Sequence, residues 1–188
     1  MLFAMDEKLY AGRPLSTAGR TSLELACYDF LDALGVFFHR VDHDPAFHLE
    51  TCRAVERVLG APIAKNLFLC NRQRSQFYLL LLPGEKVFKT KYLSAQLGCS
   101  RLSFAPAEDL ERLLGVQPGS ASLLALLRDR VGAVQLVLDR PLLCQRDFGM
   151  HPCQNTSTLR ISTEDLTQKV IPALGHLPVW VDLPEDPA

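Results

Sequence analysis

The chain has 188 residues and a formal net charge of −1, and 48% of its residues are hydrophobic. This size and apolar content suit one globular domain with an ordinary core, and the near-neutral charge excludes a general nucleic-acid coating protein. There is no run of about eighteen apolar residues and no basic, apolar secretory leader, so we expect a cytosolic protein without a membrane span.

The first part of the sequence predicts two helices and a strand. Residues 1–20 show no periodicity and are expected to form an extended lead-in. A capping-box spacing at 21–24 starts a helix that ends before Gly35. Alternation over 36–41 predicts a strand, and residues 50–59 predict a second helix with apolar side chains on one face.

The middle of the sequence predicts a hairpin followed by short helices. Strands are predicted over 63–70 and 76–82, and both are apolar on successive residues, so they should be central strands covered on each side. The polar segment 71–75 joins them as a turn. Helices are predicted over 89–97 and 106–114, because each run ends at a glycine.

The last third continues the alternation of strands and helices. The predicted elements there are a short strand at 101–104, a short apolar helix or 3-10 turn at 123–127, a strand at 134–138, a loop or edge segment at 141–149, a strand at 156–161, and a helix at 163–174 with Ser162 as its cap. Pro172 is expected to disturb the last turn of this helix. Together the elements predict an α+β fold, with one domain at 21–176 whose mixed, mostly antiparallel sheet is flanked by helices. Residues 177–188 form an extended, proline-rich tail.

The positive charge is concentrated in one third of the chain. Residues 61–105 contain seven Lys and Arg residues and one acid, Glu85. A one-sided field of this kind suits a phosphate-bearing partner, although solvated strand and helix ends would give the same pattern.

Lys65 and Asn66 stand at the start of a predicted central strand. Because a buried lysine is costly, Lys65 should lie at the end of the sheet with its ammonium group in a cleft. There it could bind a phosphate or an ester carbonyl, and Asn66 could supply a neutral hydrogen bond. A surface lysine at a strand entrance is the plain alternative.

A second candidate segment runs from Gly149 to Pro152. We expect a tight turn here, with the free N–H groups of the turn facing a developing oxyanion and with His151 orienting a water or a hydroxyl group. Asn155 and Thr156 follow closely and could line a polar pocket. A loop histidine and ordinary strand-edge polar groups would look the same.

Two other chemistries receive little support. His39, His43 and His48 match no structural zinc spacing, so no metal site is predicted. Cys153 lies two residues from His151 without a third orienting residue, which argues against a thiol hydrolase. The six cysteines contain no C-x-x-C pair and indicate buried apolar side chains in a reducing compartment.

At these positions the chain resembles the YbaK-like editing domains associated with prolyl-tRNA synthetase, and within them the freestanding alanyl-tRNA(Pro) deacylases of the ProX type. The segments that carry the resemblance are, in order, Val41-Asp42-His43, Ala64-Lys65-Asn66-Leu67-Phe68-Leu69, Arg101-Leu102-Ser103-Phe104-Ala105, Leu113-Leu114-Gly115-Val116, Pro118-Gly119-Ser120, Val137-Leu138-Asp139 and Gly149-Met150-His151-Pro152 with Asn155-Thr156. Each segment is common by itself, but the ordered set is specific.

The resemblance implies hydrolysis of the ester that joins a wrong small amino acid to the terminal ribose of a tRNA. It implies no metal and no cofactor, since water attacks the ester with help from the neighbouring ribose hydroxyl. Lys65 and Asn66 match the family's residues at the pocket mouth, and His151 matches the histidine of its glycine loop. The partners implied are the acceptor end of mischarged tRNA, which the basic stretch would meet, and prolyl-tRNA synthetase.

The sequence also departs from the family pattern at Ala64, at His48 and across 123–127. These departures leave a second function open, namely a non-catalytic tRNA or protein binding module with the same fold.

Overall fold

Two β-sheets form the framework of residues 3–185, which are the part of the chain that the computed structural model describes. Their strands are β1 (Tyr10–Ala11), β2 (His39–Asp42), β3 (Lys65–Cys70), β4 (Phe77–Leu82), β5 (Ser103–Phe104), β6 (Val134–Asp139), β7 (Asp147–Met150), β8 (Ser157–Ser162) and β9 (Val179–Val181). A four-stranded antiparallel sheet has the order β1-β2-β8-β7, and a five-stranded mixed sheet has the order β5-β3-β4-β6-β9. In the mixed sheet β6 is parallel to both β4 and β9.

The helices lie between these strands. They are α1 (Ser22–Ala33), α2 (Leu49–Leu59), α3 (Thr90–Leu97), α4 (Ala107–Leu114), α5 (Thr163–Asp165) and α6 (Ile171–Leu174), with 3-10 turns at Leu123–Arg128 and Arg140–Cys144 and a π turn at Leu166–Val170. The predicted start of α1 is confirmed, since the Thr21 side chain accepts a hydrogen bond from the backbone N–H of Glu24. The return bond of a capping box is not seen, because the Glu24 carboxylate accepts from Arg20 and from the Tyr28 hydroxyl instead. Within residues 3–185, no helix has the length and hydropathy needed to cross a membrane.

The α+β class is confirmed, and so are the central strands. In β4, Leu79 and Leu81 belong to one buried apolar cluster, whereas Leu80 and Leu82 belong to another. The five-stranded sheet is therefore covered on both faces, which is why its strands show apolar residues at successive positions instead of alternation.

Three features differ from the expectations. There are two sheets where one was expected, because β7 pairs with β8 and meets the mixed sheet only through a bridge. The lead-in contributes β1, and the tail contributes β9, which lies parallel to β6. Both are edge strands of two or three residues, too short to show a period in the sequence. Residues 1–2 and 186–188 of the predicted lead-in and tail lie outside the described residues.

The final helix runs on to Leu174, but its irregular turn is one turn earlier than expected. The sequence predicts a disturbance at Pro172, and the structure places a π turn just before it, over Leu166–Val170. Pro172 has no N–H to donate to the preceding turn, so the regular hydrogen-bond pattern is interrupted there, and the π turn lies directly before it.

Candidate active site

A cavity of about 310 Å³ lies where the two sheets meet. Its walls include Lys65 and Asn66 from the start of β3, His151 from the end of β7, and Phe47, Cys52 and Glu56 from α2 and the loop before it. This volume is at the small end of the range for ligand pockets in proteins. The cavity therefore combines few polar groups with a restricted space.

Gly149 is the reason that Lys65 and His151 face one cavity. Its N–H donates to the Pro62 carbonyl at 2.7 Å, and its own carbonyl accepts from the N–H of Ala64 at 3.0 Å. Lys65 follows Ala64 directly, and His151 lies two residues after Gly149. The pair of hydrogen bonds thus fixes the ends of β3 and β7 side by side.

Close approach explains why this position is a glycine. A Cβ added to Gly149 would lie 2.9 Å from Ile63 Cγ1 and 2.9 Å from Leu59 Cδ2. Real Cβ atoms do not approach carbon so closely, so any larger residue would have to displace the side chains of Ile63 and Leu59.

Lys65 is half-buried, and its ammonium group is held near the cavity wall. Its Nζ donates a hydrogen bond to the carbonyl oxygen of Lys86 at 2.8 Å. An ammonium group has three N–H donors, so one bond to the backbone fixes its position and leaves further donors for a ligand.

Asn66 offers a fixed acceptor. Its Nδ2 donates to the carbonyl of Ala64 at 3.1 Å, which determines the orientation of the amide. Its Oδ1 is buried, and no hydrogen-bond partner contacts it within residues 3–185. An unpaired buried acceptor is costly to stability, so its presence in a cavity indicates a ligand that donates a hydrogen bond.

His151 is neutral, and its tautomer is set by the backbone. Its Nδ1 lies 2.9 Å from the carbonyl oxygen of Ser157, which can only accept, so Nδ1 carries the hydrogen. Nε2 is then the unprotonated nitrogen, available as an acceptor. Burial lowers the pKa of His151 to about 4, and His43 nearby lowers the pKa further in the same direction.

A short chain of hydrogen bonds supports this histidine from behind. His43 Nδ1 donates to the carbonyl of Asp44 at 2.7 Å, so its Nε2 accepts from the Thr158 hydroxyl at 2.8 Å. Thr158 Oγ1 in turn lies 3.4 Å from Nδ1 of His151. Burial lowers the pKa of His43 as well, so both rings stay neutral near pH 7.

Of the seven residues singled out from the sequence, the cavity brings three together, namely Lys65, Asn66 and His151. The predicted tight turn at Gly149 is wrong, because this residue lies in β7 and its N–H is bonded to Pro62. That N–H therefore cannot serve as an oxyanion donor. The chain instead bends after the strand, where Cys153 has a φ of 62°.

Pro152, Asn155 and Thr156 lie behind the cavity wall instead of in it. Pro152 and Asn155 are buried. Asn155 binds both backbone groups of Ala46, at 3.2 and 3.3 Å, and its own N–H donates to Ser120 Oγ at 3.1 Å. It thereby clamps together the two loops that carry Phe47 and Gly119. The carbonyl of Thr156 accepts from the N–H of His43 at 3.0 Å.

The sequence did not reveal Phe47, Glu56 and Gly119 as wall residues. Gly119 has a φ of 88°, and a Cβ there would lie 2.5 Å from the Phe47 ring. Glu56 Oε1 accepts from the N–H of Ile63 at 2.7 Å, which holds the carboxylate at the cavity. The only sequence signals were a glycine after a proline and an acid on the polar face of α2, and both are common.

The structure argues against the other two chemistries. Cys153 is buried with its Sγ 3.4 Å from Cys27 Sγ, and burial raises the pKa of its thiol well above the usual value, which disfavours the nucleophilic thiolate. His39, His43 and His48 do not converge: His39 bonds Arg160, whereas His48 lines the cavity. Across the described range 3–185, no group of three His, Cys, Asp or Glu residues could hold a metal ion.

Comparison with known proteins identifies the family. Residues 43–169 match the model of the aminoacyl-tRNA editing domain. The prolyl-tRNA editing protein ProX of Acetoanaerobium sticklandii is 30% identical over 146 residues, which are 78% of this chain and 88% of that protein. The prolyl-tRNA synthetase associated domain-containing protein 1 of Danio rerio is 29% identical over 80% of this chain and 82% of its own length.

Solved structures share the fold at lower sequence identity. A candidate trans-editing enzyme for prolyl tRNA synthetase superposes with a TM-score of 0.65 and 17% identity, covering 88% of this chain and 99% of the other. The matched segment contains Lys65, Asn66 and His151, that is, all three predicted residues that line the cavity. The chain belongs to the aminoacyl-tRNA editing domain family.

Proposed function

We propose that this protein hydrolyses the ester bond of a misacylated tRNA, with alanyl-tRNA(Pro) as its first substrate. The observation that carries the proposal is the meeting of Lys65, Asn66 and His151 around one small cavity. The name of the ProX relative supports prolyl-tRNA as the tRNA acted upon, and the name of the Danio rerio relative supports prolyl-tRNA synthetase as a partner. The cytoplasm is the proposed location, because tRNA editing serves translation there.

In the proposed reaction a water oxygen attacks the carbonyl carbon of the aminoacyl ester. The bond between that carbon and the ribose oxygen breaks, the ribose oxygen takes up a proton, and the free amino acid leaves. The step needs no cofactor, because an aminoacyl ester is already activated and the protein has only to position it.

The charges of the cavity suit such a substrate. Lys65 supplies a cation for the ester carbonyl as negative charge develops on its oxygen. Asn66 Oδ1 and the carboxylate of Glu56 are acceptors for the α-ammonium group of the amino acid or for a ribose hydroxyl. His151 Nε2 accepts a hydrogen bond from the attacking water.

A small cavity also explains how a tRNA that carries the correct, larger amino acid would escape hydrolysis. A side chain that is too large is rejected by overlap, which discriminates more strongly than the absence of one methyl group does. Alanine, serine and cysteine differ little in size, so we expect the cavity to accept alanine and at least one of the other two.

The test is deacylation of alanyl-, seryl- and cysteinyl-tRNA(Pro) by the wild-type protein and by Lys65→Ala. We expect the wild type to release alanine, and Lys65→Ala to lower kcat/KM by about 100- to 1000-fold, the usual cost of removing one group that stabilises developing charge. Lys8→Ala is the matched control, because Lys8 is exposed and far along the chain from the cavity.

Equal activity of the wild type and Lys65→Ala would refute the assignment. Absence of deacylation by the wild type, with tRNA binding retained, would favour the non-catalytic binding module instead.

A further inference from the structure

A second cavity lies beside the first, on the edge of the five-stranded sheet. It has a volume of about 780 Å³ and is lined by Phe88, Lys89, Lys91, Arg101 and Phe104, together with Thr90 and Ser94. We call the first five residues the Phe104 surface. No acidic side chain lines this cavity within the described part of the chain.

The positive charge that the sequence concentrates in residues 61–105 is not all available to a ligand. Arg74 is bound to Glu108 and Asp109, at 2.5 and 2.7 Å, and Lys86 is buried in an ion pair with Asp139 at 2.7 Å. Both cations are thus paired with carboxylates of the protein itself.

The Phe104 surface holds two further cations of this stretch, Lys91 and Arg101. Both are exposed and line a single cavity, which Lys89 also lines. Helix α3 also begins here, at Thr90, and the positive end of its dipole adds to the field of the side chains. The local field therefore favours an anionic ligand.

An aromatic ring stands among these cations. Phe104 is 62% exposed, although burying its ring would stabilise the fold. It contacts Phe88 edge-on, with ring centroids 6.4 Å apart and planes at 77°, so one edge is packed. Exposed aromatic rings beside Lys and Arg residues are typical of surfaces that bind single-stranded nucleic acids, because every base can stack on such a ring.

The distance from Phe104 to the first cavity suits a short single strand of nucleic acid. Phe104 pairs with Leu69 of β3, and Lys65 lies four residues back along the same strand. At a rise of about 3.3 Å per residue the two positions are about 13 Å apart, roughly four steps of a stacked nucleic-acid strand. Residues 84–88 run between the two cavities, with Gly84 and Glu85 lining one and Phe88 the other.

We propose that the Phe104 surface binds the unpaired 3′ strand of the tRNA, with a base stacked on Phe104 and phosphates on Lys91 and Arg101. This inference rests on the proposed function, since it assumes that the end of that strand enters the first cavity. The proposed binding surface explains a feature that ester hydrolysis alone does not need, namely an exposed phenylalanine among cations at about 13 Å from Lys65.

The test is binding of uncharged tRNA(Pro), measured by fluorescence anisotropy at several salt concentrations. Phe104→Ala should weaken binding about 5- to 150-fold, the usual cost of removing one base-stacking ring. The Lys91→Ala, Arg101→Ala double variant should lower the salt slope by about 0.7 for each phosphate that it no longer neutralises. The same tRNA without its unpaired 3′ nucleotides should bind more weakly and should not respond to Phe104→Ala.

The controls are exposed residues of the same types on the other sheet or its loops. Phe37 is 64% exposed, and the Arg146 side chain is 96% exposed, so Phe37→Ala and Arg146→Ala remove an aromatic ring and a cation without touching the Phe104 surface. Both should bind tRNA as the wild type does.

Three results would overturn the inference. The first is tRNA binding by Phe104→Ala that equals wild-type binding, and the second is a Phe104→Ala substitution that weakens binding equally for tRNA with and without its 3′ nucleotides. The third is displacement of tRNA by polyglutamate to the same extent from the wild type and from Phe104→Ala. The last would indicate a surface for acidic protein segments.

The proposed function is tested independently of this inference. Hydrolysis of a minimal ester, alanyl-adenosine, should depend on Lys65 and should be unaffected by Phe104→Ala.

Discussion

The two sheets contribute to the same cavity in different ways. The five-stranded sheet is mainly apolar on both faces, with every residue of β4 buried, and Lys65 and Asn66 stand where β3 begins. The four-stranded sheet instead carries buried polar groups along its strands, including Arg40, Ser157 and Thr158. One sheet supplies a rigid support, and the other supplies a hydrogen-bonded network.

The network of the four-stranded sheet continues beyond His43 and Thr158. Asp42 accepts from Arg20 at 2.7 Å and from Arg40 at 3.0 Å, and the Ser157 hydroxyl donates to the same carboxylate. These bonds lower the pKa of Asp42 against the opposing effect of its burial, which alone would raise it. The orientation of His151 thus depends on buried polar partners. The backbone of Lys65 is instead held by an apolar sheet, and a single bond to the Lys86 carbonyl holds its ammonium group.

Breaking the contact between the sheets should have the largest effect. Gly149→Val places two methyl groups against Leu59 and Ile63, so it should lower the free energy of unfolding by about 1–3 kcal/mol. Since it also moves β7 away from β3, kcat/KM should fall by about 100-fold or more, the cost of misplacing a reacting group by about 1 Å.

The measurements are urea unfolding and alanyl-tRNA(Pro) deacylation, with Gly149→Ala as the smaller step of the same kind. A Gly149→Val variant with full activity would show that the contact between the strand ends does not position the site.

Removing one link of the network should have the next largest effect. Thr158→Val keeps the shape of the side chain but leaves His43 Nε2 without a donor, so we expect a decrease of about 1–3 kcal/mol in the free energy of unfolding. Deacylation should fall as His151 loses its support. Thr158→Ser keeps the hydroxyl group and should restore both quantities, and a Thr158→Ser variant as impaired as Thr158→Val would point to packing instead of hydrogen bonding.

Loosening the wall of the cavity should have a smaller effect. Asn155→Ala removes the two side-chain hydrogen bonds to Ala46, which costs about 1–2 kcal/mol of stability because both are buried, whereas the backbone N–H of residue 155 keeps its bond to Ser120. Because Asn155 does not line the cavity, we expect steady-state kinetics to show a raised KM and a nearly unchanged kcat. A fall in kcat alone would mean that Asn155 acts directly on the substrate.

The smallest expected effect on activity is that of pH. Because the pKa of His151 is lowered to about 4, the ring stays neutral from about pH 5.5 to 8, and the ratio of wild-type to His151→Asn activity should stay constant over that range. A step in this ratio near pH 6.5 would show that the ring titrates normally.

The same pKa determines how stability depends on pH. The unfolded chain binds a proton at this histidine near pH 6.5 and the folded protein does so only near pH 4, so stability should fall as the pH drops through that interval. Urea unfolding should therefore show a weaker pH dependence in His151→Asn than in the wild type. His43 adds a change of the same sign in both proteins.

Much of the five-stranded sheet could be predicted from the sequence, because continuous apolar runs such as 76–82 have one plain interpretation. The helix ends at Gly60, Gly98 and Gly115 were equally clear, and all three glycines have the left-handed conformation that a helix cap requires. Lys65, Asn66 and His151 were singled out from the strand start and from the segment after Gly149, and the family resemblance supported the choice, since each local pattern is common by itself.

The rest of the site could not be predicted because it depends on contacts between distant parts of the chain. Gly149 suggested a turn, since a sequence does not show that a glycine is needed for close approach to Ile63 instead of for an unusual φ. Asn155 suggested a pocket residue, because its bonds to Ala46 join segments 109 residues apart. Phe104 gave no signal, since its exposure follows from the edge position of β5.

The proposed hydrolysis depends most on Lys65 and His151 acting on one bound ester, and a double-mutant cycle tests this directly. We would measure kcat/KM for alanyl-tRNA(Pro) with the wild type, Lys65→Ala, His151→Ala and the double variant. Residues that act together on one transition state are not additive, so the double variant should be impaired much less than the product of the two single effects. Single effects that multiply fully would show that the two residues act independently and would contradict a shared site.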